Sequence, residues 1–116
     1  MDTKTELQNA ELAFARAKRE VEAAMPITAV EPHPHPKVRE ICMVTEVPGT
    51  ARREVVWVPW KLAGAFDGRE VTPELRAAFE AEVQRRRTLR AEKAWRIYLA
   101  VQEQVLREAK EARDAK

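Results

Sequence analysis

Between Thr3 and about Ala24, apolar side chains recur at spacings of three and four: Leu7, Ala10, Phe14, Ala17, Val21 and Ala24. That alternation is the seam of a heptad, narrower than the stripe of a helix facing a broad core. The other faces carry Lys4, Glu11, Arg16, Lys18, Arg19 and Glu22. Thr3-Lys4-Thr5-Glu6 reads as a capping box with Thr3 as N-cap. A helix over 3–25 is predicted, closed by Pro26. The alanines in its seam predict close packing on one neighbouring helix, within the chain or in a second copy.

The pattern then changes period. Pro32, Pro34 and Pro36 alternate with Glu31, His33 and His35. Prolines at every second place fix φ and remove backbone donors, so 26–37 reads as an extended, semi-rigid linker. Val38 to Val47 and Arg53 to Trp60 are two strand-like runs rich in β-branched and apolar residues. Between them Val47-Pro48-Gly49-Thr50 is a turn signal. A β-hairpin over 38–60 follows, with Cys42 expected opposite Val55 and Ile41 opposite Val56. In a regular second strand Trp57 shares a face with Val55, and Trp60 shares the other with Val56 and Val58. Pro59 belongs at a strand end or an edge, since it cannot donate to a ladder.

In the loop 61–72, Arg69-Glu70-Val71 is a candidate short third strand, folded back on Phe66 across the Asp67-Gly68 turn. Thr72-Pro73 then opens a helix, with threonine as N-cap and proline at the first helical position. Neither glycine nor proline follows Pro73. The segment 73–114 is predicted as one long helix, and a bend into a helical hairpin near Thr88 is the alternative. Leu75, Phe79 and Val83 form its first apolar stripe. Ala94, Ile97, Tyr98, Val101, Val105 and Ala112 form its second. Arg86 and Arg90 occupy the stripe positions between them. The fold class is α+β: an N-terminal helix, an antiparallel hairpin with a short third strand, and a long C-terminal helix or helical hairpin. A chain of 116 residues fits a single domain, 1–116.

Charge sharpens this picture in one place. The chain has 21 basic and 19 acidic side chains, a net charge of +2 that argues against a uniformly basic coat. Arg85, Arg86, Arg87, Arg90, Lys93 and Arg96 nevertheless crowd together against Glu92 alone. Arg86, Arg90 and Lys93 share a helix face there, a stripe that could straddle phosphates. A solvated face, or a docking site for an acidic protein, accounts for the stripe equally well.

The chemistry of catalysis is poorly supplied. The chain lacks serine and has only 3 glycines, so neither a serine nucleophile nor a phosphate-cradling loop is at hand. The single cysteine, Cys42, sits in an apolar run and reads as inert packing. His33 and His35 project from an extended linker without a second pair of ligands, so they read as solvated residues and not as a metal site. A lone cysteine, a polar N-terminus without signal-peptide character and the lack of a long apolar run point to the cytoplasm, away from membranes.

The expectation is therefore a non-catalytic protein-binding accessory protein without cofactor or metal. It would serve as an adaptor, assembly component or inhibitor of a larger complex. Its candidate binding residues are Trp57 and Trp60, flanked by Arg52 and Arg53, because exposed tryptophan is enriched at binding hot spots. The alternative is an RNA- or DNA-binding accessory protein that uses the Arg85–Arg96 face weakly and without base selectivity. Homo-oligomerisation, where it occurs, is expected to run through the helices.

Overall fold

The computed structural model describes residues 2–35, 37–47, 49–50, 52–59, 61 and 71–115. Its elements, in chain order, are α1 (Thr3–Glu22), β1 (Ala29–Pro32), β2 (Glu40–Glu46), β3 (Arg53–Pro59) and α2 (Pro73–Asp114). The class is α+β, and Pro73–Asp114 is one continuous helix of 42 residues. The chain forms two compact units. One comprises Ala23–Arg86, and the other Met1–Glu22 together with Arg87–Lys116.

In the first unit the strands form one antiparallel sheet in the order β1-β2-β3. The third strand thus comes from the proline-rich stretch ahead of the hairpin, which the sequence had marked as a linker. Prolines are tolerated there because β1 is an edge strand of the described sheet and ends on Pro32, where a missing donor costs little. The candidate strand at 69–71 lies outside the described residues except for Val71, which is not in a strand.

The hairpin register differs from expectation by two residues. Cys42 lies opposite Trp57 and Ile41 opposite Val58. The turn itself is as anticipated, with Gly49 at φ +75° and the Thr50 N–H donating to the Val47 carbonyl at 3.1 Å. Proline-glycine turns of this kind do not match strand twist in a two-residue hairpin loop. The strands instead close one step later, where the Val47 N–H donates to the Arg52 carbonyl at 3.0 Å. The Thr50 hydroxyl steadies that wider loop, donating to the Val47 carbonyl and accepting from the Arg52 N–H. A shift of two keeps every side chain on its predicted face.

On the inner face, Ile41, Met43, Val56 and Val58 meet Leu75, Phe79 and Val83 of α2, which recur every four residues along one stripe. Met25, Ile27, Val30, Val71 and Ala78 close the margins. This is the core of the unit. Its helix starts as predicted: the Thr72 hydroxyl accepts from the Leu75 N–H at 3.2 Å, satisfying one of the orphan donors of the first turn.

In the second unit, α1 runs antiparallel to the later part of α2. Thr3 donates to Glu108 at 2.8 Å, the Phe14 and Trp95 rings lie 5.0 Å apart, and Arg87 reaches the Glu20 carbonyl at 3.0 Å. The heptad seam of α1 is therefore used inside the chain. Its cap is Asp2 and not Thr3: the Asp2 carboxylate accepts from the Lys4 N–H, and its carbonyl from the Glu6 N–H. Thr3 is thereby left to turn toward α2. At the other end α1 stops at Glu22, short of the expected residue 25. Pro26 would clash with the carbonyl four residues before it, which is that of Glu22, and it drives Met25 out of helical geometry.

Candidate partner-binding surface

The outer face of the sheet is built by strand alternation. Opposite residues in an antiparallel pair point the same way, so Val55 and Trp57 share their face with Val44 and Cys42, and beyond them with Ala29 and Glu31. Val44 is buried, whereas Val55 and Trp57 are 40% and 43% exposed. Glu46 and Arg53 pair in register at one end of the face. The Trp57 ring leans on that of His33, with centroids 5.0 Å apart. His33 is held in place in turn: its Nδ1 accepts from the His35 N–H at 3.0 Å, as the Nδ1 of His35 does from the Lys37 N–H at 3.1 Å. These contacts tie both rings to the loop after β1.

β3 is an outer strand of the described sheet, and its ladder pattern turns the backbone of Val55 away from β2. The Val55 carbonyl is satisfied by Arg86 Nη1 at 2.6 Å, which bridges the strand edge to α2. Arg52 and Arg53 lie exposed where β3 begins. Trp60, the other tryptophan proposed from sequence, lies outside the described residues.

The six cations of the basic cluster are not equivalent. Arg85 and Arg86 both bond Glu82, at 2.6 and 3.0 Å, and hold its carboxyl down to about 2 from an ordinary 4.5. Arg87 is 0% exposed, pointing inward to α1. Arg90 lies 3.7 Å from the Glu20 carboxylate. Only Lys93 and Arg96 are exposed without a hydrogen bond or ion pair to another described residue. The sequence missed Arg87 because it counted a guanidinium as surface. The available signal was its place four residues after Val83, in step with Leu75, Phe79 and Val83.

Comparison with known proteins adds no constraint. No family model, curated protein or solved structure matches this chain.

Cys42 is partly buried, and its thiol is pushed up by desolvation and by the nearby Glu31 carboxylate, which disfavours the nucleophilic thiolate. Among the described residues no three histidine, cysteine or acidic side chains gather as a metal set, and no helix is long and apolar enough to cross a membrane. The surface can offer an aromatic plane, a β-branched neighbour and flanking guanidinium groups.

Proposed function

We propose that this chain is a non-catalytic, cytoplasmic protein-binding accessory protein: an adaptor, assembly component or inhibitor that docks a larger complex through the outer face of β3. The observation that carries the reading is the exposure of Trp57 beside Val55 on a sheet whose inner face is already filled by Leu75, Phe79 and Val83. A tryptophan braced by a neighbouring ring loses little freedom on binding, and burying it can contribute 2 kcal/mol or more (about the hot-spot threshold). Arg52 and Arg53 at the start of the strand favour an acidic rim on the partner. The raised thiol of Cys42 supports a role without chemistry. The lone cysteine supports a reducing compartment.

The test is affinity capture with the wild type and with Trp57→Ala, matched by thermal melts. A protein retained by the wild type and lost by a Trp57→Ala chain of unchanged melting temperature supports the proposal. Equal recovery by both chains overturns it. Retained material that nuclease removes, and that Lys93→Gln/Arg96→Gln abolishes, would move the function to nucleic-acid binding. Salt would then grade the contact: neutralising six phosphates implies a log–log slope of about −5 on duplex DNA, and neutralising two implies about −2.

A further inference from the structure

The helical unit leaves its own apolar surface half covered. Its buried apolar residues are Ala10 and Ala17, and every larger apolar side chain described in it keeps some exposure. Two antiparallel helices bury one seam between them, and independent stability at this length asks for more tertiary packing. Along α2 one seam runs Arg87, Ala91, Ala94, Tyr98, Val101 and Val105, again at spacings of four and three, its members buried or half-buried. Displaced by one residue, a second seam follows the same rhythm through Thr88, Glu92, Trp95, Leu99, Gln102 and Leu106. Trp95, Leu99 and Leu106 on it are 43%, 41% and 65% exposed. On the same side, α1 contributes Phe14, Lys18 and Val21, which line one groove together with Glu92 and Trp95.

We infer that this groove is closed by a second copy of the chain, giving a four-helix bundle with a twofold axis parallel to the helices. The charges on the two walls favour that occupant. Lys18 stands on one wall and Glu92 on the other, and neither makes a hydrogen bond or ion pair with a described residue. A dyad along the helix axes preserves axial level while laying each α1 over the other copy's α2. Lys18 then meets Glu92 of the second copy, and Glu92 meets its Lys18, so each contact is made twice. Phe14 meets Trp95 in the same way. Every neighbouring pair of helices in this arrangement is antiparallel, which aligns the helix dipoles favourably. A bundle built on the opposite dyad would set Lys18 against Lys18.

The experiment is sedimentation equilibrium of the full chain over a concentration series. The wild type should move from 13.3 kDa toward twice that mass as concentration rises. Leu99→Glu and Leu106→Glu, at exposed positions, should remain monomeric with unchanged helix content by circular dichroism. Lys18→Glu and Glu92→Lys should each raise the dimer dissociation constant about tenfold, since each disturbs two pairs. The double reversal Lys18→Glu/Glu92→Lys should restore it. A wild type that is monomeric throughout overturns the inference. So does a dimer indifferent to Leu99→Glu and Leu106→Glu, or one that the double reversal fails to rescue. Because Trp57 belongs to the other unit, neither result bears on capture through β3.

Discussion

Replacing Arg87 by methionine keeps most of the buried stem and removes only the guanidinium. The Glu20 carbonyl that accepts from Nη1 at 3.0 Å lies in the last turn of α1, where carbonyls lack intrahelical partners. Arg87 thus caps α1 from the neighbouring helix and sets a positive charge at the negative end of its dipole. Glu20, itself 6% exposed, would keep Arg90 at 3.7 Å as its carboxylate's counter-ion. A lost bond from a charged donor and an orphaned buried carbonyl together cost about 3 kcal/mol. Arg87→Ala should cost about 2 kcal/mol more through emptied space. With a urea slope of about 2 kcal/mol/M, the methionine variant should unfold about 1.5 M earlier by far-UV circular dichroism. Lys93→Met, on the exposed face, should change stability by less than about 0.5 kcal/mol. Arg87→Lys should fall between, because an ammonium keeps the charge and loses the planar fork. A methionine variant as stable as the wild type would show that the cap contributes nothing.

Three further outcomes follow from the other unit. Phe79→Ala, emptying a site that is 0% exposed, should lose about 3–5 kcal/mol, whereas Trp57→Ala should lose less than about 1 kcal/mol; equal losses in thermal melts would make Trp57 core. Glu82 has a folded carboxyl depressed to about 2, so the support it lends is complete above 4.5 and disappears as pH falls toward about 2. An NMR titration of that carboxyl should place its midpoint near 2, and a midpoint near 4.5 would remove the Arg85–Glu82–Arg86 clamp. Cys42 should react with iodoacetamide at neutral pH more slowly than an unfolded cysteine, with Glu31→Gln accelerating it; fast labelling would contradict the raised thiol.

The elements written most plainly in the sequence are those set by local chemistry. Thr72-Pro73 places the start of α2 to the residue, because cap and first-turn proline act within four positions. The faces of β2 and β3 were legible from alternation alone and survived a register error of two. What alternation cannot supply is the length of a loop. The Thr50 hydroxyl decides that, through bonds that no periodicity announces. The third strand was hidden for a related reason: prolines at 32, 34 and 36 exclude a central strand but permit an edge one, and only β1's pairing with β2 reveals which holds. The same limit applies to the cap of α1, where Asp2 and Thr3 are both competent and Glu108, distant in sequence, draws Thr3 away.

The basic cluster shows the harder case, in which composition identifies the right residues and charge alone misassigns their surroundings. Six cations in a row of twelve suggest a surface for phosphates. On a helix, however, positions 85–90 point in every direction, so one run must serve several neighbours at once. Arg85 and Arg86 turn to Glu82, and Arg86 also reaches the β3 edge. Arg87 and Arg90 turn to the end of α1. One of the two points where the chain passes between its units falls between Arg86 and Arg87, so the cluster supplies structural ties within each unit. An arginine suits this work because its stem packs as apolar surface while its fixed fork of donors reaches backbone carbonyls that no shorter side chain could satisfy. The charge left over for a partner is then small, while the unmatched apolar surface at Trp57 and along Trp95, Leu99 and Leu106 is large. On that balance, the proposed docking would rest on aromatic and aliphatic burial, with charge setting orientation.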